Sequence, residues 1–541
     1  MEAVIFGYAP VGMVGELVTV EVDLRRGIPG VDIVGLPDDS VRESRERVRA
    51  AIRNSGFEFP RDRVLINLSP VGLRKVGAAY DLALALAVLI ASEQVARLLA
   101  PTLVCGELTL GGAVQPVRGA MAAVLAAWRR GVGAFLVPSP NLAEAAAVGG
   151  DAVVGVASLA EAARQVGRIG DLSTAPVAAR TPGSGAATVG APPPGEPARG
   201  APSPGGPSPW RQQLGSVSDI RGHAILKRAL LIAAAGGHHL LLFGPPGTGK
   251  TMAARRLVGL LPALTYPQSV EATQIQSLAG ALEPATGLAR WPPFREPHHS
   301  ASPEGLLGGS PALSPGEVSL AHEGALLLDE VPEFPRNALQ GLQEPLETGA
   351  VHVTRAGRSA SFPARFQLGA TANPCPCGAL GRQTVACACS DNDIKRYWKR
   401  LGGALLDRID VRVPLQAVPA AQLLAPLPSE AAAADDEEMA TLVARAIATQ
   451  RARYRDAPWG RNGRLPAHAT QSHCVLDEPC RREIERSQHV AELSSRALHS
   501  VARVARTIAD LAGSARIGTA HVAEAIQFRR YGDADLFWLR S

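Results

Sequence analysis

The sequence predicts an α/β core closed by an all-helical C-terminal part and preceded by a separate α+β domain. Three observations predict it. A glycine-rich segment, Gly244-Pro245-Pro246-Gly247-Thr248-Gly249-Lys250-Thr251, lies between a short apolar run and a helical pattern. A second apolar run, residues 325–328, ends in Asp329-Glu330. A stretch rich in Pro, Gly, Ala, Ser and Thr, residues 171–209, divides the chain. The 541 residues are too many for one core, and roughly two to four domains are expected.

Along the chain, residues 18–24 alternate like a strand. Residues 38–54 carry Val41, Val48, Ala51 and Ile52 at helical spacing among Arg and Glu. Residues 64–68 read as a strand, 80–91 as a buried helix and 120–128 as another helix, so residues 1–170 are α+β material. Residues 171–209 lack the apolar periodicity that would offset ordering entropy, and a disordered linker is expected there. Residues 210–434 form the core, with a helix at 219–235, a strand at 239–243, a helix at 252–261 and strands at 325–328 and 366–371. From residue 435 to 541 the pattern is helical, with a long amphipathic segment at 491–512 and a last helix at 519–529.

Composition narrows the setting. A hydrophobic share of 46% suits a globular protein, and a net charge of +5 permits a polyanionic partner without demanding one. The longest apolar run, residues 82–91, is about half a membrane span. The first residues lack the basic start of an export signal. With no such signal, the seven cysteines argue for reduced thiols. A cytoplasmic protein without membrane contact is the expectation.

Residues 244–251 fit the phosphate-binding pattern G-x-x-x-x-G-K-[ST] in its required strand-to-helix context. Backbone N–H groups of such a loop face the phosphates, Lys250 neutralises β/γ-phosphate charge, and the Thr251 hydroxyl can hold Mg²⁺. An acidic pair after an apolar strand is often only a solvated strand end. In the same α/β unit as Lys250, Asp329 is read as the second Mg²⁺ holder and Glu330 as the group that orients the attacking water. Asn373 ends the next strand, either as a γ-phosphate sensor or as a turn residue before Pro374. Arg408, on residues alone, reads as a surface salt-bridging side chain. Cys375-Pro-Cys377 and Cys387-Ala-Cys389 place four thiols in one short loop, which suits a closed Cys₄ zinc site. Free thiols or a redox switch are the alternatives. Cys105, Cys474 and Cys480 stand apart and read as buried or incidental.

In this order, the pieces resemble an AAA+ ATPase of the magnesium-chelatase-like ComM/YifB group. The resemblance is carried by Pro297-His-His-Ser-Ala-Ser302, Pro315-Gly-Glu-Val-Ser-Leu-Ala-His322, Leu342-Gln-Glu-Pro-Leu-Glu347, Ala372-Asn-Pro-Cys-Pro-Cys377, Leu405-Leu-Asp-Arg-Ile-Asp410 and Arg503-Val-Ala-Arg-Thr-Ile-Ala-Asp510. It covers nearly the whole chain outside the linker. It implies ATP with Mg²⁺, a ring of identical subunits, expected to be a hexamer, and Arg408 as an arginine finger serving a neighbour's ATP. It also implies Asn373 as the polar sensor and Arg496 as the lid arginine that senses nucleotide, with Arg503 the alternative. The residues from 350 to 366 resemble a hairpin that faces the channel in ring helicases. That makes Arg355 and Arg358, around the tip at 356–357, the candidate contacts to single-stranded or branched DNA. Solvated hairpin charges are the alternative. The Gly- and Pro-rich residues 279–311 form a second inserted element, and its His298 and His299 are read as structural, with metal binding the alternative. The N-terminal domain resembles a Lon-protease-like fold whose nucleophile and base positions fall on Ala79 and Met121, so no peptidase activity is expected. The family implies a branch-migration helicase of natural transformation and recombination. A chelatase-type motor for metal insertion and a non-proteolytic adaptor ATPase are the rivals.

Overall fold

The strand Leu240–Phe243 is buried at all four positions, because it runs through the middle of a sheet covered on both faces. The computed structural model describes residues 5–172, 208–283, 285–309, 313–355, 358–382, 385–424, 429–455, 457–491 and 494–529. Its five-stranded sheet is parallel throughout, in the order Phe294–Arg295, Ala325–Leu328, Gln367–Ala372, Leu240–Phe243, Val411–Pro414. Alternation along the strands sends Leu240, Leu242 and Leu327 to one face, against helix Ala224–Gly236 and the C-terminal helices. Leu241, Phe243, Leu326 and Leu328 face the other way, onto Val331, Phe334, Leu339 and Trp398. The carboxyl ends of three adjacent strands then deliver the loop at 244–251, the acids at 329–330 and Asn373 to one edge.

Local chemistry shifts several expected boundaries. The helix expected at 219–235 is Ala224–Gly236, with turns before it. The helix after the phosphate loop begins at Lys250, ends at Arg256 and tightens into a 3₁₀ turn, Leu257–Leu260. The single segment expected at 491–512 is cut by Ser494, whose hydroxyl accepts from Ala497 N at 3.2 Å and starts helix Ser495–Leu511 afresh after Glu478–Ala491. Helix Ser429–Arg453 already begins ahead of Asp435. The expected linker at 171–209 lies almost wholly outside the described residues, between helices Leu159–Leu172 and Pro209–Leu214.

The N-terminal part holds a seven-stranded mixed sheet, in which Ile5–Ala9 pairs antiparallel with Glu16–Arg25 and parallel with Thr102–Val104. Helix Asp39–Asn54 is capped by Asp38, which accepts from Val41 N at 2.8 Å. The apolar helix Asp81–Ala91 is buried over most of its length, as its composition requires. This domain packs on helix Tyr266–Ala279: Gly119 N donates to Ser277 O at 3.0 Å and Tyr266 Oη to Ala147 O at 3.2 Å. Met13 reaches further, to Leu313, Ala360 and Phe362. Among the described residues no helix is long and apolar enough to cross a membrane.

Candidate active site

Gly244 leaves its strand where a Cβ would stand 2.2 Å from Leu415 O, and Gly247 and Gly249 turn the loop at φ +83° and +82°. Lys250 follows in the first turn of the helix and curls back under the loop. Its Nζ donates to Gly244 O at 2.8 Å, Pro245 O at 2.9 Å and Asn373 Oδ1 at 3.1 Å. Burial lowers its pKa, against the pull of Asp329 and Glu330. Arg382 also opposes its charge, a second cation beside the loop that the sequence did not single out.

Thr251 Oγ1 donates to Asp329 Oδ1 at 2.7 Å, so the two expected Mg²⁺ holders already meet. Thr371 was not anticipated. Its hydroxyl donates to the same oxygen at 2.5 Å and accepts Glu330 N at 2.9 Å, fixing the acids against the neighbouring strand. The one signal for it is a hydroxyl in a strand that is otherwise apolar from Leu368 onward. Glu330 sits at φ +54°, a left-handed conformation that a glutamate rarely adopts, and Asn373 Nδ2 donates to its Oε1 at 3.3 Å. Lys250, Thr251, Asp329, Glu330 and Asn373 thus form one connected cluster.

Arg408 stands at the opposite end of the sheet. It lies just before Val411, which pairs with Leu240 at the amino end of the phosphate-loop strand. Four strand residues at about 3.3 Å each therefore separate it from the loop of its own chain. Its guanidinium bonds Glu347, and Arg496 bonds the other oxygen of that carboxylate at 3.1 Å. Arg408 Nε has no hydrogen-bond partner among the described residues. Both arginines line a cavity of about 760 Å³ between the amino ends of the strands and the C-terminal helices, together with Arg461, Arg464 and Trp459. Arg503 is committed elsewhere, donating to buried Asp410 at 3.0 Å and to Leu465 O at 2.9 Å. Of Arg496 and Arg503, Arg496 is the one left half-exposed.

Strands Ala350–Arg355 and Arg358–Pro363 pair as the expected hairpin, with Arg355 opposite Arg358. The tip at 356–357 and the Arg358 side chain lie outside the described residues. Arg355 Nη1 donates to Gly309 O at 2.7 Å, which ties the hairpin to the second inserted element. His298 and His299 stack at 4.0 Å between ring centroids, and His298 bonds Ser300. Among the described residues they join no group of metal-ligating side chains. The thiols of Cys375, Cys377, Cys387 and Cys389 do gather, all within 4.8 Å of one another. In the N-terminal domain Met121 is fully buried, and Lys75 Nζ donates to Gly35 O at 2.9 Å and to Pro70 O. Neither Ala79 nor Met121 can act as nucleophile or base.

Three sequence-family profiles match: "Subunit ChlI of Mg-chelatase" over residues 20–141, "Magnesium chelatase, subunit ChlI" over 216–423, and "Magnesium chelatase, subunit ChlI C-terminal" over 433–529. An uncharacterized protein of Mycobacterium tuberculosis is 40% identical over 97% of this chain and 98% of its own length. The uncharacterized protein YifB of Salmonella typhimurium is 38% identical, and the competence protein ComM of Haemophilus influenzae 36%, each over 97% of both chains. A parallel α/β core of the AAA+ kind, with these matches running from end to end, places the chain in the ComM/YifB family of magnesium-chelatase-like proteins.

Proposed function

We propose that this protein is an ATP-driven AAA+ motor that acts on single-stranded or branched DNA in the cytoplasm, as a ring of identical subunits. A hexameric branch-migration helicase of the ComM kind is the specific form. The observation that carries the reading is the split of the hydrolytic groups between opposite ends of one sheet. Lys250 and the loop N–H groups bind the phosphates, Glu330 with Asn373 orients water for in-line attack on the γ-phosphate, and Arg408 with Arg496 is presented to the next subunit. Mg²⁺ held by Thr251 and Asp329 would neutralise charge on the β- and γ-phosphates, and Zn²⁺ suits the cysteine loop. Glu347 joins the two arginines, so both would reach a neighbour's nucleotide together. The hairpin bearing Arg355 and Arg358 is the DNA contact in this reading. The N-terminal domain is a Lon-protease-like fold without its catalytic dyad, used for contacts.

The test is ATP turnover by the purified protein with a synthetic four-way junction, with duplex and without DNA, across a salt series. Branched DNA should raise turnover, and the rise should fade as salt increases. The magnesium-chelatase match supports a second reading, a motor for metal insertion. Turnover indifferent to every DNA but raised by a tetrapyrrole-handling partner would favour it.

A further inference from the structure

The cysteine loop is built against the nucleotide site. Cys375 follows Asn373 across a single proline. Trp398 Nε1 donates to Pro374 O at 3.0 Å, and the same indole packs edge-on against Phe243, the last residue of the phosphate-loop strand, at 5.7 Å. On the other side, Gly378 passes so close to the phosphate loop that a Cβ would stand 2.9 Å from Pro246 Cγ. Arg382, exposed and without an ion pair among the described residues, reaches Pro246 O at 3.4 Å.

The thiols are arranged for a metal. Cys375 Sγ lies 3.4 Å from that of Cys377 and 3.6 Å from that of Cys387, with 3.6 Å between the latter two. Four sulfurs at about 2.3 Å from a tetrahedral zinc ion would be separated by about 3.8 Å, so the loop stands close to liganded spacing. Ala379 N donates to Cys377 Sγ at 3.4 Å and Leu380 N to Cys375 Sγ at 3.5 Å, the outer bonds that orient thiolate ligands.

We propose that the four cysteines bind one zinc ion, and that this centre serves to hold Arg382 against the phosphates of nucleotide bound at residues 244–251. This rests on the reading of that loop as a nucleotide site. A short loop whose described residues before Arg382 form only turns is a weak support for a flexible guanidinium by itself. A metal cross-link within five residues of Arg382 can hold that group in place.

Metal content, cobalt substitution and binding of a fluorescent ATP analogue test this on the full chain. The native protein should carry about one zinc per chain, and cobalt should give the visible bands of a tetrahedral thiolate site. Arg382→Ala should keep its zinc and lose about tenfold in nucleotide affinity, the scale of one charge-assisted contact. Removing zinc with a chelator should cause a similar loss in the native protein and little further loss in Arg382→Ala. A Cys375→Ser/Cys387→Ser variant should lack zinc and bind like the stripped protein. Native protein without zinc would overturn the site. Zinc present, with affinity unmoved by Arg382→Ala or by stripping, would overturn its role. Native protein that binds no nucleotide would instead sink the reading of residues 244–251.

Discussion

Lys250 spends its three hydrogen-bond donors on two carbonyls of its own loop and on Asn373, all of which can be exchanged for phosphate oxygens. Lys250→Ala should therefore abolish nucleotide binding while leaving the fold intact. Glu330 makes no contact that nucleotide binding requires. Glu330→Gln keeps the shape of the site but loses the charge that polarises water in the proposed mechanism, so it should bind ATP and fail to turn it over. Arg408→Ala should bind ATP normally, with turnover down on the order of a thousandfold, the scale of an arginine finger. Equilibrium binding and single-turnover hydrolysis separate the three. Full turnover by Arg408→Ala would remove Arg408 from the mechanism.

Among the elements, one buried polar tie between the core sheet and the C-terminal helices runs through Asp410. It precedes strand Val411–Pro414 and is buried against His238, with Ser500 and Arg503 from helix Ser495–Leu511. Burial alone would raise its pKa, yet Arg503, His238 and Ser500 together hold it well below the usual carboxylate range. A depressed carboxylate contributes stability that is fully present above its unfolded value of about 3.9 and lost as pH falls through the folded one. Asp410→Asn leaves the partly buried Arg503 without its counter-charge, at a cost of about 2 kcal/mol near neutrality. Urea unfolding should show that gap at pH 7 and a narrower one below about pH 4. An unchanged midpoint at pH 7 would mean that the other contacts, such as His238 with Thr507 and Gln450 with Ala235 O, hold the helices without the Asp410 charge.

For the whole molecule, Lys250 and Arg408 sit at opposite ends of one sheet, so under the proposed function a complete site needs a second chain. Subunits carrying Lys250→Ala keep Arg408, and subunits carrying Arg408→Ala keep the loop. Mixing the two inactive variants should restore turnover at the seams where an intact loop meets an intact Arg408. Mixtures as inactive as either parent would argue against sharing, as would a single subunit that hydrolyses ATP briskly at high dilution.

The sequence by itself determined the glycine-rich loop at 244–251, the acids after the apolar strand at 325–328 and the cysteine pairs, because each is a local pattern of short spacing. It also marked several of the helices and core strands, such as Asp39–Asn54, Asp81–Ala91 and Ala325–Leu328, since a buried face imposes periodicity on the chain. Only the tertiary structure decided what distant residues do to one another. Thr371 bridges Asp329 and Glu330, Glu347 joins Arg408 to Arg496, Arg503 is taken up by Asp410, and Arg382 lies against Pro246. Side chains on different strands and helices meet through the order of strands in the sheet and the packing of the lid, and no local pattern encodes either.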